Sequence, residues 1–245
     1  MMTTLTQLAR KLPAPQENSS LRTLFGGRLT ETLDSNGILF WEGDVANDLF
    51  EIASGCLRLY KMMPDGRRAI TGFMFPGEIL GVAFKDRYLF TAEAVTPVRL
   101  RRFPRTQLHA SLARAPGLSR EVLAMACDEL SAAQEQMLLL GRKTAVERIA
   151  YFLVTVARHI EAGGKPARAI DLPMSRTDIA DFLGLTMETV SRVLGKLKVE
   201  GLISLPTSHH VTLNQLGQLQ RLAGESGPLT PDAGERTVRG AVWPN

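Results

Sequence analysis

Cysteine is nearly absent from this 245-residue chain, with Cys56 and Cys127 the only two. Two thiols so far apart form neither a disulfide framework nor a zinc-binding spacing. Long apolar runs are also missing: charged residues interrupt each one well short of the roughly 20 residues a bilayer requires. The opening "MMTTLTQLARKLPAPQENSS" lacks an apolar stretch followed by a small-residue cleavage site, so no secretory signal is read and the cytoplasm is the expected location. Histidine is scarce at four, with none between residues 37 and 105. That removes the converging ligand set a metal-dependent β-barrel enzyme needs. No nucleophile elbow or phosphate-binding loop is present either, so catalysis is not expected.

What remains is a chain long enough for about two domains, with a formal net charge of +4. A mild basic excess is compatible with a polyanionic partner but does not identify one. Residues 1–20 are polar and aperiodic and read as a flexible arm. From Leu21 to Arg105, short apolar or alternating runs ("ILFWEGD", "LFEIASGCLRLYKM", "AITGFMF", "TAEAVTPVRLRRF") are separated by glycine at 37, 43, 55, 66, 77 and 81. Strands of that length, with Asp65-Gly66 placed as a hairpin turn, predict an antiparallel roll or barrel.

From Pro116 the pattern becomes helical. Leu123, Ala126, Leu130, Ala133, Met137 and Leu140 recur at alternating steps of three and four, the spacing of a coiled-coil seam. A helix of about 25 residues extends roughly 37 Å, longer than one small domain needs for its own core. It reads as a dimerisation helix, the competing reading being a long helix packed only on its own roll. Cys127 lies beside the seam and reads as a small buried hydrophobe. A second helix, "TAVERIAYFLVTVARHI", and a loop, "EAGGKPARAI", follow.

Residues 175–197, "SRTDIADFLGLTMETVSRVLGKL", hold two short helical patterns broken by Gly184. Ser175 with Asp178 three residues on makes a capping-box-like start, and Ile179, Phe182 and Leu183 supply an apolar face beside the small Ala180. Gly184 suits a left-handed helix end, and Thr186 caps the next helix. There Val190, Val193, Leu194 and Leu197 form the buried stripe, while Glu188, Ser191 and Arg192 share a different, polar face near the N-terminus. This is the spacing of a helix-turn-helix.

A recognition helix presents such side chains to base edges in the major groove. Arginine forks onto guanine O6 and N7, and a carboxylate accepts from cytosine N4. Arg192 and Glu188 match those roles, with Ser191 placed for a neighbouring base. Met187 can pack on a thymine methyl. Ser175, Arg176, Thr186, Thr189, His209 and His210 are the candidate phosphate contacts. "GLISL" and "HHVTL" around "PTS" read as the hairpin wing of a winged helix.

With these motifs in place, the chain resembles the cyclic-AMP receptor/FNR superfamily of bacterial transcription regulators, and within it the FixK-type branch. The resemblance covers roughly residues 25–222. It rests on "LFEIASGCLRLY", "DGRRAI", "PGEILG", "FTAEAV", "LLLGRKTAVERIAYFL" and the Glu-x-x-Ser-Arg pattern at Glu188, Ser191 and Arg192. It implies an α+β chain with an N-terminal antiparallel β-roll, a double-stranded β-helix like that of cyclic-nucleotide-binding domains. A long dimerisation helix and a C-terminal winged helix-turn-helix would follow. The corresponding divisions are an arm at 1–20, a sensory roll at 21–115, the dimer helix at 116–141, the DNA-binding unit at 142–222 and a disordered tail at 223–245. Double-stranded DNA, a second copy of the chain and RNA polymerase are the implied partners, in the usual manner of an activator.

Departures from the wider superfamily narrow the expectation. Cyclic-AMP-binding members hold the cyclic phosphate with an Arg-Ser or Arg-Thr pair about ten residues after a Gly-Glu pair. Here Tyr88-Leu89 stands at that distance from Gly77-Glu78, with Arg87 adjacent, so the bidentate phosphate partner is missing. Oxygen-sensing members carry an N-terminal cysteine cluster, and two cysteines cannot provide four thiolates. No cofactor is therefore expected. Met187 stands where cyclic-AMP receptors carry arginine, and Ser191 where they carry glycine. This implies a TTGAT-N4-ATCAA palindrome rather than a TGTGA type. The alternative is an effector-gated member whose roll binds an unidentified small molecule or haem.

Overall fold

The structure, a computed structural model, describes residues 20–82, 86–162 and 168–224. The expectations of a flexible arm and a disordered tail lie outside the described residues, apart from their inner ends. Those ends are ordered: Ser20 caps a 3-10 turn at Leu21–Phe25 and donates to Glu121 at 2.9 Å, and Ala223 is buried. No helix among the described residues is long and apolar enough to cross a membrane.

Eight strands build the N-terminal unit: β1 (Thr30–Leu33), β2 (Ile38–Phe40), β3 (Asp48–Ser54), β4 (Leu57–Met62), β5 (Arg68–Met74), β6 (Ile79–Leu80), β7 (Thr91–Ala94) and β8 (Val98–Pro104). They form two four-stranded antiparallel sheets, ordered β1-β8-β3-β6 and β2-β7-β4-β5. Alternation along β3 explains why both faces of its Leu49 to Ile52 stretch are buried. Phe50 and Ile52 point into the core between the sheets, whereas Leu49 points outward into a second cluster with Phe25, Phe103, Leu108 and Leu118. The β4–β5 hairpin closes around Asp65-Gly66, with the Gly66 N–H on the Met63 carbonyl.

Gly55 is a position where only glycine fits. Its φ is +90°, and a Cβ there would lie 2.3 Å from the Pro97 carbonyl oxygen and 2.9 Å from the Val98 Cα. Both neighbours are backbone and cannot swing aside. Gly55→Ala is expected to destabilise the protein by about 2–4 kcal/mol, combining left-handed strain with overpacking. An unchanged urea unfolding midpoint would refute this.

Helix α1 (Arg105–Arg114), at the end of the segment expected to be roll, leads into α2 (Pro116–Arg142). α2 is anchored only near its ends. Leu118 is buried beside the roll and Leu139 is buried against the C-terminal helices, while Leu123, Leu130 and Met137 are 65 %, 61 % and 66 % exposed. Cys127 corrects its expectation: it is exposed, because nothing among the described residues covers this stretch of helix. Cys56 is buried, and burial, assisted by the charge of Glu78, pushes its thiol pKa up to about 12.

The C-terminal unit holds α3 (Ala145–Ala162), β9 (Ala169–Asp171), α4 (Arg176–Leu183), α5 (Met187–Val199), β10 (Ile203–Ser204), β11 (His210–Leu213) and α6 (Leu216–Leu222). Ala169 and Ile170, the end of the expected loop, are instead part of a strand with Asp171, completing a small sheet ordered β10-β11-β9. Three residues are too few to show periodicity, and pairing with β11 determines their conformation. The core of this unit runs on into the roll: Phe73 and Phe75, in and just after β5, pack against it, with Phe73 5.6 Å from Phe182 and 6.4 Å from Phe152.

His159 of α3 bridges the same seam, its Nε2 lying 2.8 Å from Glu78 Oε1 and its Nδ1 3.0 Å from the Thr155 carbonyl. The Glu78 hydrogen bond raises its pKa above the ordinary 6.5, against the opposing effect of burial. The protonated form thus favours the folded state. Its contribution is complete below about pH 6.5 and is lost as pH rises through the raised folded value. The stability gap between wild type and His159→Gln should therefore close as pH rises, measured by urea denaturation across pH. An NMR titration of the His159 ring at an ordinary value would refute the bridge.

Candidate nucleic-acid interface

The helix-turn-helix is built by local backbone chemistry. The Ser175 hydroxyl accepts from the Asp178 N–H at 3.0 Å, and Asp178 Oδ2 accepts from the Ser175 N–H at 3.0 Å, so α4 starts in a complete capping box. It ends at Gly184 in the left-handed region, φ +61°, where the Leu185 N–H reaches back to the Ala180 carbonyl at 3.0 Å. Only Gly184, Leu185 and Thr186 separate the helices, and Thr186 caps α5 by accepting from the Thr189 N–H at 3.2 Å. Val190, Val193, Leu194 and Leu197 are buried beneath α5.

This leaves Glu188, Ser191 and Arg192 exposed together at the N-terminal half of α5, with Met187 half exposed beside them. The backbone N–H of Glu188 itself, aided by the Thr186 hydroxyl, holds the Glu188 carboxyl below its usual range, so it stands ionised as an acceptor. Arg192 Nη2 rests 3.5 Å from the Thr189 hydroxyl, which also receives the Thr186 hydroxyl at 3.1 Å. A long arginine held only by one marginal hydrogen bond is free to reach a base edge.

The flanking candidates are more occupied. Arg176 Nη2 donates to the Ser208 carbonyl in the wing turn at 2.7 Å, and burial lowers its pKa. His209 Nδ1 lies 3.1 Å from the Leu172 carbonyl, and His210 Nδ1 lies 2.7 Å from Asp171 Oδ1. Phosphate contact by these three competes with bonds that hold the wing to α4 and β9. Ser175, Thr186 and Thr189 keep exposed or partly exposed hydroxyls while serving as caps or cap partners.

Two residues not singled out from the sequence fasten α4 to the end of α2. Arg148 donates from Nη2 to the Leu140 carbonyl at 2.9 Å, from Nε to the Lys143 carbonyl at 3.0 Å and from Nη1 to the Leu183 carbonyl at 2.8 Å. Gln136 donates to the Phe182 carbonyl at 2.9 Å. The guanidinium thereby satisfies the orphan carbonyls at two helix ends with one planar fork. Its farthest partner is 36 positions away, so no local spacing signals the role.

In the roll, Tyr88 stands ten residues after Glu78. It is buried, stacked on Phe40 with centroids 3.6 Å apart and 6.4 Å from Phe50, and donates to the Asp48 carbonyl at 3.1 Å. The adjacent Arg87 points to the rim, donating to the Gly43 carbonyl at 2.5 Å.

Comparison with known proteins agrees with both halves. A Crp-like helix-turn-helix domain matches residues 147–222 and a cyclic nucleotide-binding domain matches residues 30–115. The chain is 45 % identical over 188 residues to the nitrogen fixation regulation protein FixK of Azorhizobium caulinodans, covering 76 % of each. It is 44 % identical over 165 residues to the transcriptional activatory protein AadR of Rhodopseudomonas palustris, covering 67 % of this chain and 69 % of the relative. Among solved structures, FixK2 from Bradyrhizobium japonicum superposes with a TM-score of 0.76 at 33 % identity, covering 82 % of this chain and 98 % of that one. With a helix-turn-helix that exposes Glu188, Ser191 and Arg192 behind a β-roll of this kind, the chain belongs to the CRP/FNR family of transcription regulators, in its FixK-type branch.

Proposed function

We propose that this chain acts in the cytoplasm as a homodimeric activator that reads a TTGAT-N4-ATCAA palindrome, without cyclic AMP or an iron–sulfur cluster, and engages RNA polymerase. The observation that carries the reading is the exposed Glu188, Ser191 and Arg192 face at the N-terminal half of α5. In this role Arg192 forks onto the half-site guanine, Glu188 accepts from a cytosine amino group, Ser191 reads a neighbouring base and Met187 packs on a thymine methyl. Ser175, Arg176, Thr186, Thr189, His209 and His210 track the phosphates.

The exposed apolar face of α2 supports the homodimer. Leu123, Ala126, Leu130, Ala133, Met137 and Leu140 pair across it with a second copy, with Leu138 at its flank. Two heads related by that dyad would then read major grooves one turn, about 34 Å, apart. The aromatic filling of the roll by Phe40, Phe50 and Tyr88 supports a sensor that takes no cyclic nucleotide, and the activator names of relatives favour activation.

Fluorescence anisotropy at fixed salt tests the reading with a labelled TTGAT-N4-ATCAA duplex and a TGTGA-type palindrome, with and without cyclic AMP. Holding salt constant is essential because phosphate contacts alone change affinity by orders of magnitude. Effector-free preference for the first duplex is expected. Binding that requires cyclic AMP, or prefers the second duplex, would overturn the proposal.

A further inference from the structure

The reading head is joined to the roll by a chain of five charged side chains. Arg58 on β4 pairs with Glu93, its cross-strand neighbour on β7, at 2.5 Å, and reaches Asp178 of α4 at 3.3 Å. Arg68 on β5 places one nitrogen, Nη2, 2.5 Å from Asp178 and 2.8 Å from Asp181, and its Nε donates to Asp181 at 3.0 Å. Asp178, whose side chain is 4 % exposed, is thus shared by two arginines of the roll while it also closes the capping box of α4. Beside the network, Phe73 packs against Phe152 and Phe182.

A buried ionic network is a poor choice for stability alone, since desolvation offsets most of its attraction and apolar side chains of similar volume serve as well. Its distinctive property is geometry. An apolar seam tolerates sliding, whereas displacing α4 by a few ångströms would take both carboxylates from Arg68 and leave Arg58 with Glu93 alone and Asp178 with its own cap alone, in a partly dry interface. Asp178 and Asp181 lie on α4, three and six residues after its Ser175 cap and shortly before the turn that aims α5. The network therefore acts on the orientation of the recognition helix while lying outside its exposed polar face. Asp178 is held ionised: burial pushes its carboxyl up, but the Ser175 hydroxyl and N–H and the two arginines together hold it below the usual range.

We propose that Arg58 and Arg68 are positioning residues for DNA recognition, roll residues that through Asp178 and Asp181 hold each head in the orientation needed to engage both half-sites at once. The fixed network does here what a bound effector would otherwise have to do, a role that rests on the effector-free reading above. Phe73 supplies the apolar contact and the ion pairs supply its register.

The test compares wild type, Arg68→Gln, Asp181→Asn, their double variant and the swapped pair Arg68→Asp with Asp181→Arg. Affinity is measured on the full palindrome and on a duplex holding a single half-site. Arg68→Gln is expected to weaken palindrome binding about tenfold or more while single-half-site affinity and its base preference change less than twofold. The double variant should be no worse than the worse single one, and the swap should recover part of the loss. Unchanged or tighter palindrome binding by Arg68→Gln would overturn the proposal, as would equal losses on both duplexes, which would mark a damaged head. Hydrogen exchange of α4 and β5 without DNA separates this from the operator assignment. If wild type ignores TTGAT yet those amides lose protection only in the Arg68 variant, the operator reading falls and the clamp stands. If protection does not change, the clamp falls.

Discussion

Arg192→Ala is expected to weaken binding to the TTGAT palindrome by about 1–3 kcal/mol per half-site, the worth of a good bidentate base contact. Two copies act on one palindrome. Near-additive losses give a fall of roughly 30-fold to 20,000-fold in affinity. Two features make the variant clean. Arg192 is exposed and, among the described residues, makes one marginal hydrogen bond, to Thr189 at 3.5 Å, so its removal leaves the buried stripe of α5 intact. It also lies away from the roll, outside the network that ties Asp178 and Asp181 to Arg58 and Arg68. Anisotropy at one salt concentration, on the wild-type duplex and on duplexes altered at the guanine, gives the result. Loss of discrimination at that guanine is the diagnostic outcome. A weaker variant that still rejects the altered base would show Arg192 acting on phosphate, and the assignment of base reading would fail.

Leu130→Glu is expected to dissociate the dimer at micromolar concentration and to lower palindrome affinity by about 10²- to 10⁴-fold, through loss of the second head's effective concentration. Leu130 sits midway along the exposed face of α2, so dyad-related copies would bring two carboxylates together in a seam that is otherwise apolar. Because Leu130 is exposed in the protomer, the change should leave the folded protomer itself nearly untouched. Sedimentation equilibrium measures association, and circular dichroism melting checks the fold. A variant that remains dimeric with full affinity would exclude this face as the interface. A dimer seam elsewhere would then have to account for an apolar stripe that nothing among the described residues covers.

Gly55→Ala and the pH dependence of His159 probe different features. The first tests a local backbone constraint beside Pro97 and Val98. The second tests a bond between Glu78 of the roll and α3, and it shares the seam with the Arg58 and Arg68 network. The second alone asks whether roll and head behave as one body without ligand.

Local chemistry sufficed for the helix-turn-helix because its determinants lie within a few residues of one another. Ser175 and Asp178 close a capping box, Gly184 adopts φ +61°, Thr186 caps α5, and the stripe from Val190 to Leu197 is buried. The 3.6-residue period then separates Glu188, Ser191 and Arg192 from that stripe without reference to the rest of the molecule. The β4–β5 hairpin was legible for the same reason, since Asp65-Gly66 marks a turn between two alternating runs. The stripe along α2 was legible as a pattern, although its exposure is a property of the folded protomer.

Elements set by distant partners were not legible. Residues 169–171 are too short to declare themselves and become a strand only by pairing with β11. Cys127 sits where apolar neighbours in sequence suggest burial, but nothing among the described residues covers that part of α2. Arg148 gathers carbonyls from the ends of α2 and α4, and Arg58 meets Asp178 across 120 positions of chain.

By itself, then, the sequence determined the two kinds of unit, the polar reading face of α5 and the departures at Tyr88 and Met187, all carried by side-chain type at short spacing. Only the tertiary structure decided where the reading head sits. That choice depends on Arg58, Arg68 and Arg148 satisfying carboxylates and carbonyls from remote segments, and charges buried at such a seam hold their geometry because leaving any of them unpaired is costly.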